Sequence, residues 1–375
     1  MHHTPPSEHS DLVTSSLPWS PKNNRRVTFN AYGGPEVISV VTEPAVASPG
    51  KGMARVRVMA SSLVFTDMLI RRNLYPMLKT LPGETLGYDV VGHVEALGPE
   101  TTGPAPGTLV ATLTQVGGAQ DWVNLPAASL VPLPGHLDPI KVEPLILSYM
   151  TAYQGLFREA GVSAGAHILV IAATGAVGLA ALDLARALGL RATGVASSRR
   201  KALVEQMGAD FIAYDAPDFS RRIDLAAAQQ GGFAVILDGA SHEPLPAHLR
   251  RLARGGHYVG FGLTALLRRA GADAKGLRLI FGRLRLGMKV LRILATRLRN
   301  PNVHFYDIAG RRKAHPDWFR EDLTTLATLL ADGRIAPHIS GVFPPERAAE
   351  AHRLIEDGSV VGRLVLDLRG SGVLP

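Results

Sequence analysis

The chain has 375 residues, of which 46% are hydrophobic and 19% charged, so it is long and apolar enough for two globular cores and too apolar to be disordered. It contains no cysteine, which excludes disulfide scaffolds, cysteine nucleophiles and cysteine-ligated metal sites, and which suits the cytoplasm. No long uncharged apolar run occurs, so no segment is predicted to span a membrane. Residues 1–26 lack the layout of a signal peptide and are predicted to be a disordered polar tail.

The net charge of +8 is concentrated in one segment. Residues 266–300 contain ten Lys or Arg and one acid, which leaves the rest of the chain close to neutral. Neither zinc-finger spacing nor an aromatic-rich basic strand motif is present, so nucleic-acid binding is not expected.

Apolar and basic residues of this segment recur at helical spacing. The apolar set is Leu277, Ile280, Phe281, Leu284, Met288, Leu291, Leu294 and Leu298, and the basic set between them is Arg278, Arg285, Lys289, Arg292 and Arg299. The pattern predicts an amphipathic helix with a basic face. Two interpretations stay open: the helix packs over the protein's own core, or it lies on an anionic membrane or joins an oligomer.

The pattern of predicted elements changes along the chain. Residues 27–149 are rich in Gly and Pro and contain short alternating runs such as ARVRVMAS, which predict the antiparallel strands of a compact barrel. From about residue 150, strands such as HILVIAA, RATGVAS, FIAYD, FAVILDG and GHYVGFG alternate with helical segments. This alternation predicts an α/β fold with a doubly wound parallel sheet. The stretch that ends in GRLVLDL adds a helix and a strand.

The most informative motif is VIAATGAVGLAALDLAR, in which a buried strand leads through a glycine turn into a helix. Gly175 would let the backbone approach a pyrophosphate, and Gly178 would let the helix pack close to the strand. The helix N-terminus then offers free N–H groups to the phosphates. Ala173 replaces the usual first glycine. In this strand–turn–helix context the pattern favours dinucleotide binding over a purely structural turn.

The end of the next strand indicates which dinucleotide is bound. An NAD site has a carboxylate there to hold the ribose hydroxyls. This chain instead has Ala196, Ser197 and Ser198, followed by three cations, Arg199, Arg200 and Lys201. Hydroxyls and cations bind a 2′-phosphate, so NADPH is the expected coenzyme.

Together these segments resemble the medium-chain dehydrogenase/reductase superfamily, in its zinc-free quinone oxidoreductase and enoyl reductase branch. The similarity is carried, in order over about residues 27–375, by GGPEVISV, FTDMLIRRNLYP, LPGETLGYDVVGHVEALG, MTAYQGL, AATGAVGLAALDLAR, MGAD and GRLVLD. GLTALLRR followed by a long segment also resembles the vesicle amine transport protein subgroup, which has an insertion at this place.

The resemblance implies a GroES-like catalytic domain at 27–149, completed by 337–375, and a Rossmann domain at 150–336 with the basic insertion 264–320. The active-site cleft would lie at their junction. The cofactor-binding residues that it implies are Thr151, Tyr153, Gly175, Ala176, Val177, Ser197, Ser198, Lys201, Tyr214, Gly260, Phe261 and Gly262; Gly362 and Arg363 are weaker candidates.

No metal is expected. Zinc-dependent relatives have Cys or His where this chain has Val64, and they carry a four-cysteine lobe that is absent here. The resemblance places Tyr75 as a catalytic proton donor or oxyanion partner, with a plain cleft-lining aromatic as the alternative. Val64 and Phe65 would line an apolar substrate pocket. Zinc-free relatives often have Asn in place of Val64, which puts conventional quinone chemistry in question.

Two functions remain in competition. The first is an NADPH-dependent reductase of a conjugated C=C bond or a quinone, acting on a small lipophilic carbonyl compound as a cytoplasmic homodimer. The second is a membrane-peripheral protein that binds or transfers lipid through 266–300 and retains the nucleotide-binding fold without turnover. A zinc alcohol dehydrogenase is disfavoured by the missing ligands.

Overall fold

The computed structural model describes residues 23–75, 78, 80–261, 288, 291–293 and 295–370. Gly262 and most of the basic segment 266–300 therefore lie outside the described residues. Within them the strands are β1 (Asn23–Phe29), β2 (Ile38–Pro44), β3 (Met53–Leu63), β4 (Asp89–Leu97), β5 (Leu109–Leu113), β6 (Trp122–Pro126), β7 (Val131–Pro132), β8 (His167–Ile171), β9 (Arg191–Ala196), β10 (Asp210–Ala213), β11 (Phe233–Asp238), β12 (Leu252–Gly260), β13 (Val303–Phe305), β14 (Ile339–Phe343) and β15 (Arg363–Asp367).

Helices connect these strands, and most of them lie in the second half of the chain. They are α1 (Phe65–Arg71), α2 (Pro139–Pro144), α3 (Met150–Tyr153), α4 (Ala176–Ala187), α5 (Lys201–Gln206), α6 (Phe219–Gln229), α7 (Leu245–Arg250), α8 (Ile308–Ala314), α9 (Pro316–Ala331) and α10 (Ala348–Asp357). Helix α3 continues π-helical turns at Leu145–Tyr149 and is followed by another at Gln154–Glu159. Among the described residues, no helix has both the length and the apolar character needed to cross a bilayer.

The second half of the chain forms a six-stranded parallel sheet in the order β10-β9-β8-β11-β12-β13. The order reverses between β8 and β11, which is the doubly wound arrangement that binds dinucleotides at the reversal point. All five residues of β8 are buried, because helices cover both faces of a parallel sheet. The predicted α/β class is confirmed.

Strands from residues 53–132 and from the C-terminal part, 339–367, form a seven-stranded, mainly antiparallel sheet in the order β14-β15-β3-β4-β5-β7, with β6 paired to β3. Strand β15, from the C-terminal part of the chain, lies antiparallel to β3. Just before it, the N–H of Gly362 donates to the carbonyl of Thr174 at 3.0 Å. The last strand of the first sheet therefore touches the glycine turn of the second.

The structure corrects the predicted end of the N-terminal tail. Residues 23–26 were assigned to the tail from their polar composition, but they belong to β1, which pairs with β2. Asn24 accepts a hydrogen bond from the Trp122 N–H at 2.9 Å, and Arg25 forms an ion pair with Asp121 at 3.0 Å. These partners lie almost a hundred residues away, so local composition gives no sign of them.

A histidine near the C-terminus is buried as the neutral imidazole. His352 lies on α10 and has no exposed surface. Burial lowers its pKa to about 3; the charge of Arg71 acts in the same direction and Glu356 opposes it. In the unfolded chain a histidine titrates at about 6.5.

This difference makes folding stability depend on pH. Between pH 6.5 and 3 the unfolded chain binds a proton at His352 that the folded chain does not, so the free energy of unfolding falls by about 1.4 kcal/mol per pH unit of acidification on this account. Urea unfolding at pH 7, 6 and 5 should show a steeper loss for the native protein than for His352→Leu. The same substitution at exposed His136 is the control. Parallel pH profiles for native and His352→Leu protein would contradict the assignment.

Candidate active site

The glycine turn joins β8 to α4 at the reversal point of the sheet. Ala172 adopts the left-handed conformation with φ 67°, and the Gly175 N–H donates to its carbonyl at 3.0 Å. Helix α4 then begins at Ala176, with exposed Gly175 as its N-cap. Gly175, Ala176 and Val177 thus place the start of a twelve-residue helix, with its unpaired N–H groups, at the crevice. This geometry fits a pyrophosphate.

The two glycines of the turn have different surroundings. A Cβ on Gly178 would lie 2.2 Å from the Ala172 carbonyl oxygen, a distance that the backbone cannot accept. A Cβ on Gly175 would meet the same oxygen at 3.4 Å, an ordinary contact. Gly178 is therefore required by helix–strand packing, whereas Gly175 leaves open the space that a ligand would approach.

The opposite wall of the crevice comes from the ends of β11 and β12. Gly260 ends β12, and the Phe261 N–H donates to the Asp238 carbonyl at 3.1 Å. The Phe261 ring packs directly over Gly239, where a Cβ would be 2.7 Å from the ring. The structure thus brings Gly260 and Phe261 to the edge predicted for the nicotinamide half.

Residues that follow β9 and β10 form the other end of the crevice. Ser197 is half-buried, Ser198 is exposed, and Lys201 lies 3.7 Å from Glu205. The Tyr214 ring is 41% exposed and stacks on His242, with centroids 4.5 Å apart. His242 comes from the loop after β11, so this ring pair crosses the carboxyl ends of the intervening strands. No motif in the sequence pointed to His242 as a residue of the crevice.

The two nicotinamide-side candidates on α3 have different environments. Thr151 is buried. Tyr153 packs on Phe157 with centroids 4.8 Å apart, and α3 lies against both α4 and α9. The role of Tyr153 in cofactor binding stays a prediction.

The catalytic candidate Tyr75 has a partner that the sequence did not reveal. Its hydroxyl lies 3.1 Å from the hydroxyl of Tyr88, just before β4. Tyr88 also packs in the same buried cluster as Val64, the N-cap residue of α1, and Phe65 follows half-buried. Burial raises the pKa of both phenols, so both remain protonated at neutral pH.

A cavity of about 300 Å³ lies where the two halves of the protein meet. Leu113 and Gln115 line it from the first half, and Ala309, Arg312 and Lys313 line it from α8. The Gln115 N–H donates to the Tyr88 carbonyl at 2.9 Å, so the cavity borders the tyrosine pair. Arg312 is already bound to Thr112 at 3.0 Å, and its role is to join the two halves.

A cluster of buried charged side chains lies where β15, α2 and β4 meet. The Arg363 guanidinium donates to Glu143 at 2.9 Å and lies 3.3 Å from Asp89. Burial and the charge of Glu143 raise the pKa of Asp89, against the effect of Arg363. Asp67, which accepts N–H bonds from Val64 and Gly87, has its pKa raised to about 7 by burial. Arg363 thus serves this cluster and not a phosphate.

Comparison with known proteins agrees with this architecture. A family model described as alcohol dehydrogenase GroES-like domain matches residues 50–135, and one described as zinc-binding dehydrogenase matches residues 207–366. The chain belongs to the medium-chain dehydrogenase/reductase superfamily. Enzymes of this superfamily are oxidoreductases that use NAD(P)H. Among the described residues, no three His, Asp or Glu side chains are grouped so that they could hold a metal ion.

Three relatives illustrate the range of similar proteins. The synaptic vesicle membrane protein VAT-1 homolog of Rattus norvegicus is 27% identical, over 91% of this chain and 83% of the relative. A Pseudomonas syringae quinone oxidoreductase structure is 26% identical with a TM-score of 0.72, and the match covers 92% of this chain and 99% of that one. A mycocerosic acid synthase-like polyketide synthase of Mycolicibacterium smegmatis is 30% identical over 87% of this chain, but the chain spans only 14% of that relative.

The two turn glycines should respond differently to the same substitution. Gly178→Ala forces its Cβ against the Ala172 carbonyl, so we expect a clear loss of thermal stability. Gly175→Ala should retain the native melting temperature while weakening NADPH binding about tenfold, because its methyl group projects into the ligand space. Melting curves and NADPH fluorescence titration measure both effects. Normal NADPH affinity in Gly175→Ala would place the pyrophosphate elsewhere.

Proposed function

We propose that this protein is an oxidoreductase that uses NADPH to reduce a conjugated C=C bond or a quinone, without zinc. The single observation that carries the proposal is the pair of facing hydroxyls, Tyr75 and Tyr88, next to the cavity that Gln115 lines. The similarity to the quinone oxidoreductase supports the reaction class. The glycine turn and the Ser197–Ser198 segment support the coenzyme.

The tyrosine pair is suited to polarise a substrate oxygen. At 3.1 Å one hydroxyl donates to the other, and the accepting hydroxyl keeps its own O–H to donate outward. A hydroxyl that accepts a hydrogen bond becomes a stronger donor, so the outward hydrogen bond of the pair is strengthened. Because burial keeps both phenols neutral, the pair can donate a hydrogen bond to a substrate oxygen when the substrate binds.

The reaction develops negative charge that these residues would stabilise. A bound reduced nicotinamide supplies a hydride to the electron-poor carbon of the substrate. The substrate oxygen then takes on enolate or hydroquinone-anion character, and the tyrosine pair donates a hydrogen bond to it where the charge appears. One proton from Tyr75 or from water completes the reduction, and water reprotonates the tyrosine.

The surroundings of the pair favour a small lipophilic carbonyl compound. Val64 offers no hydrogen bond to a substrate, and Leu113 adds an apolar wall to the neighbouring cavity. Gln115, on the same cavity wall, can donate an amide hydrogen to a carbonyl. The pocket can therefore admit an apolar body while it orients one oxygen.

Removal of either hydroxyl should slow turnover without affecting the coenzyme. We expect Tyr75→Phe and Tyr88→Phe each to lower kcat/KM about 100-fold, because a transition-state hydrogen bond is lost. The affinity for NADPH should stay within about twofold, since neither hydroxyl lies at the glycine turn. NADPH oxidation with a panel of enones, enoyl thioesters and quinones measures this effect.

Tyr32→Phe is the matched control, because the Tyr32 hydroxyl donates to the Thr80 carbonyl and contacts neither tyrosine of the pair. It should retain native kcat/KM. Full turnover in both pair variants would remove the tyrosines from the mechanism. Tight NADPH binding by the native protein, with no turnover of any substrate class, would refute the reductase.

A specific observation also favours the second candidate function, a membrane-peripheral lipid-binding or transfer protein. Met288, Leu291 and Leu298 are exposed by 55%, 65% and 90%, and Arg292 and Arg299 are exposed close by. Exposed apolar side chains flanked by arginines match the chemistry of an anionic bilayer surface.

Liposome sedimentation tests this second function. Native protein should pellet with phosphatidylserine-containing vesicles in a salt-sensitive way, and an Arg292→Glu/Arg299→Glu variant should not. Arg221→Glu/Arg222→Glu on exposed α6 provides the same change of charge elsewhere. Equal pelleting of all three proteins, or none by the native protein, would rule out membrane contact through this segment.

We also propose that the protein is a homodimer located in the cytoplasm. The homodimer is proposed because β13 is the outer strand of the parallel sheet among the described residues and its edge can pair with another chain. A cytoplasmic location accords with the absence of cysteine. Nucleic acid is not among the proposed partners.

A further inference from the structure

A carboxylate occupies the adenosine end of the crevice, where the sequence predicted hydroxyls and cations. Asp215 follows Tyr214 and accepts hydrogen bonds from Ser198. The Ser198 N–H lies 3.0 and 3.2 Å from the two carboxylate oxygens, and the Ser198 hydroxyl lies 2.9 Å from one of them. These are the donors predicted to receive a 2′-phosphate. In this structure they hold the protein's own anion.

The sheet explains why these two residues meet. Strands β9 and β10 are parallel neighbours, with Ala196 in register with Ala213. The Tyr214 N–H then donates to the Ala196 carbonyl at 3.0 Å. The segments that follow both strands therefore leave the same edge side by side. In a doubly wound sheet this edge receives the adenosine ribose.

Asp215 is ionised at neutral pH. Desolvation acts to raise its pKa, but the hydrogen bonds from Ser198 and the charge of Arg199 lower the pKa overall. An anion at this place accepts a hydrogen bond from a ribose 2′-hydroxyl and repels a 2′-phosphate.

The neighbouring cations only partly offset this repulsion. Arg200 donates to the Ser359 carbonyl at 3.3 Å, and Lys201 lies 3.7 Å from Glu205. Arg199 is exposed beside Asp215. The site therefore contains features of both coenzyme classes: serine donors and cations for the phosphate, and a carboxylate for the free hydroxyl.

We propose that Asp215 is a specificity-determining residue, which competes with the coenzyme 2′-phosphate for Ser198 and lets the site accept NADH beside NADPH. The inference rests on the proposed use of NADPH and refines it. With NADH, the carboxylate accepts from the ribose 2′-hydroxyl while it stays near Ser198. With NADPH, the carboxylate leaves Ser198 and the two donors pass to the phosphate.

The test is the ratio of the dissociation constants for NADPH and NADH, measured by fluorescence titration of the full chain. Asp215→Ala should tighten NADPH binding about tenfold, because one nearby negative charge is removed, and weaken NADH binding several-fold. Asp215→Asn removes the charge at nearly constant size and should shift the ratio in the same direction.

Asp218→Asn is the matched control. Asp218 lies three residues further on, is equally exposed, and pairs with Arg222 at 2.9 Å instead of with Ser198. Asp218→Asn changes the charge by the same amount as Asp215→Asn, three residues further along the chain. The ratio for this variant should stay within about twofold of the native ratio, because Asp218 pairs with Arg222 and holds neither hydrogen-bond donor of Ser198.

The outcomes separate this inference from the proposed function. An unchanged ratio in both Asp215 variants, or an equal shift in Asp218→Asn, overturns the role of Asp215 alone. Failure of the native protein to bind either coenzyme overturns the NADPH assignment and this inference together. A shifted ratio in a protein that turns over no substrate supports the role of Asp215 and refutes the reductase.

Discussion

The architecture depends on one close backbone approach, between the segment before β15 and the glycine turn. Gly362 has φ 75°, and a Cβ there would lie 2.5 Å from the His338 carbonyl oxygen, so only glycine fits without strain. Its N–H donates to Thr174 in the turn. Because β15 pairs with β3, this contact fixes the first sheet against the start of α4. The cleft is a consequence of that attachment.

The buried cluster next to this contact secures the same junction. Arg363, directly after Gly362, draws Glu143 from α2 and Asp89 from β4 to one guanidinium. Charges removed from water need such partners, and breaking a buried pair is far more costly than losing a surface one. The chain therefore commits Arg363 to holding three elements together. In the proposed coenzyme site, the pyrophosphate would bind to the backbone N–H groups at the start of α4.

The two ends of the crevice are built in different ways. At the proposed substrate end, two neutral hydroxyls and an amide lie near Leu113, and Arg312 and Lys313 line the same cavity, which suits an oxygen that would gain negative charge during reaction. At the adenosine end, serine donors, cations and a carboxylate lie close together in exposed loops. In the proposed site, the charged groups that would select the coenzyme are exposed to solvent and are separate from the buried groups that would act on the substrate.

The sequence by itself determined the features that depend on neighbouring residues. Strand–helix alternation predicted the α/β class, and the motif around Gly175 predicted the strand–turn–helix geometry, because periodicity and backbone constraints act over a few residues. Tertiary structure decided which distant side chains meet. Tyr88 reaches Tyr75 and Asp215 reaches Ser198 through loops and strand pairing, and Asn24 reaches Trp122 across almost a hundred residues. Strand order and register set such encounters, and they are fixed by packing of the whole chain rather than by any local pattern.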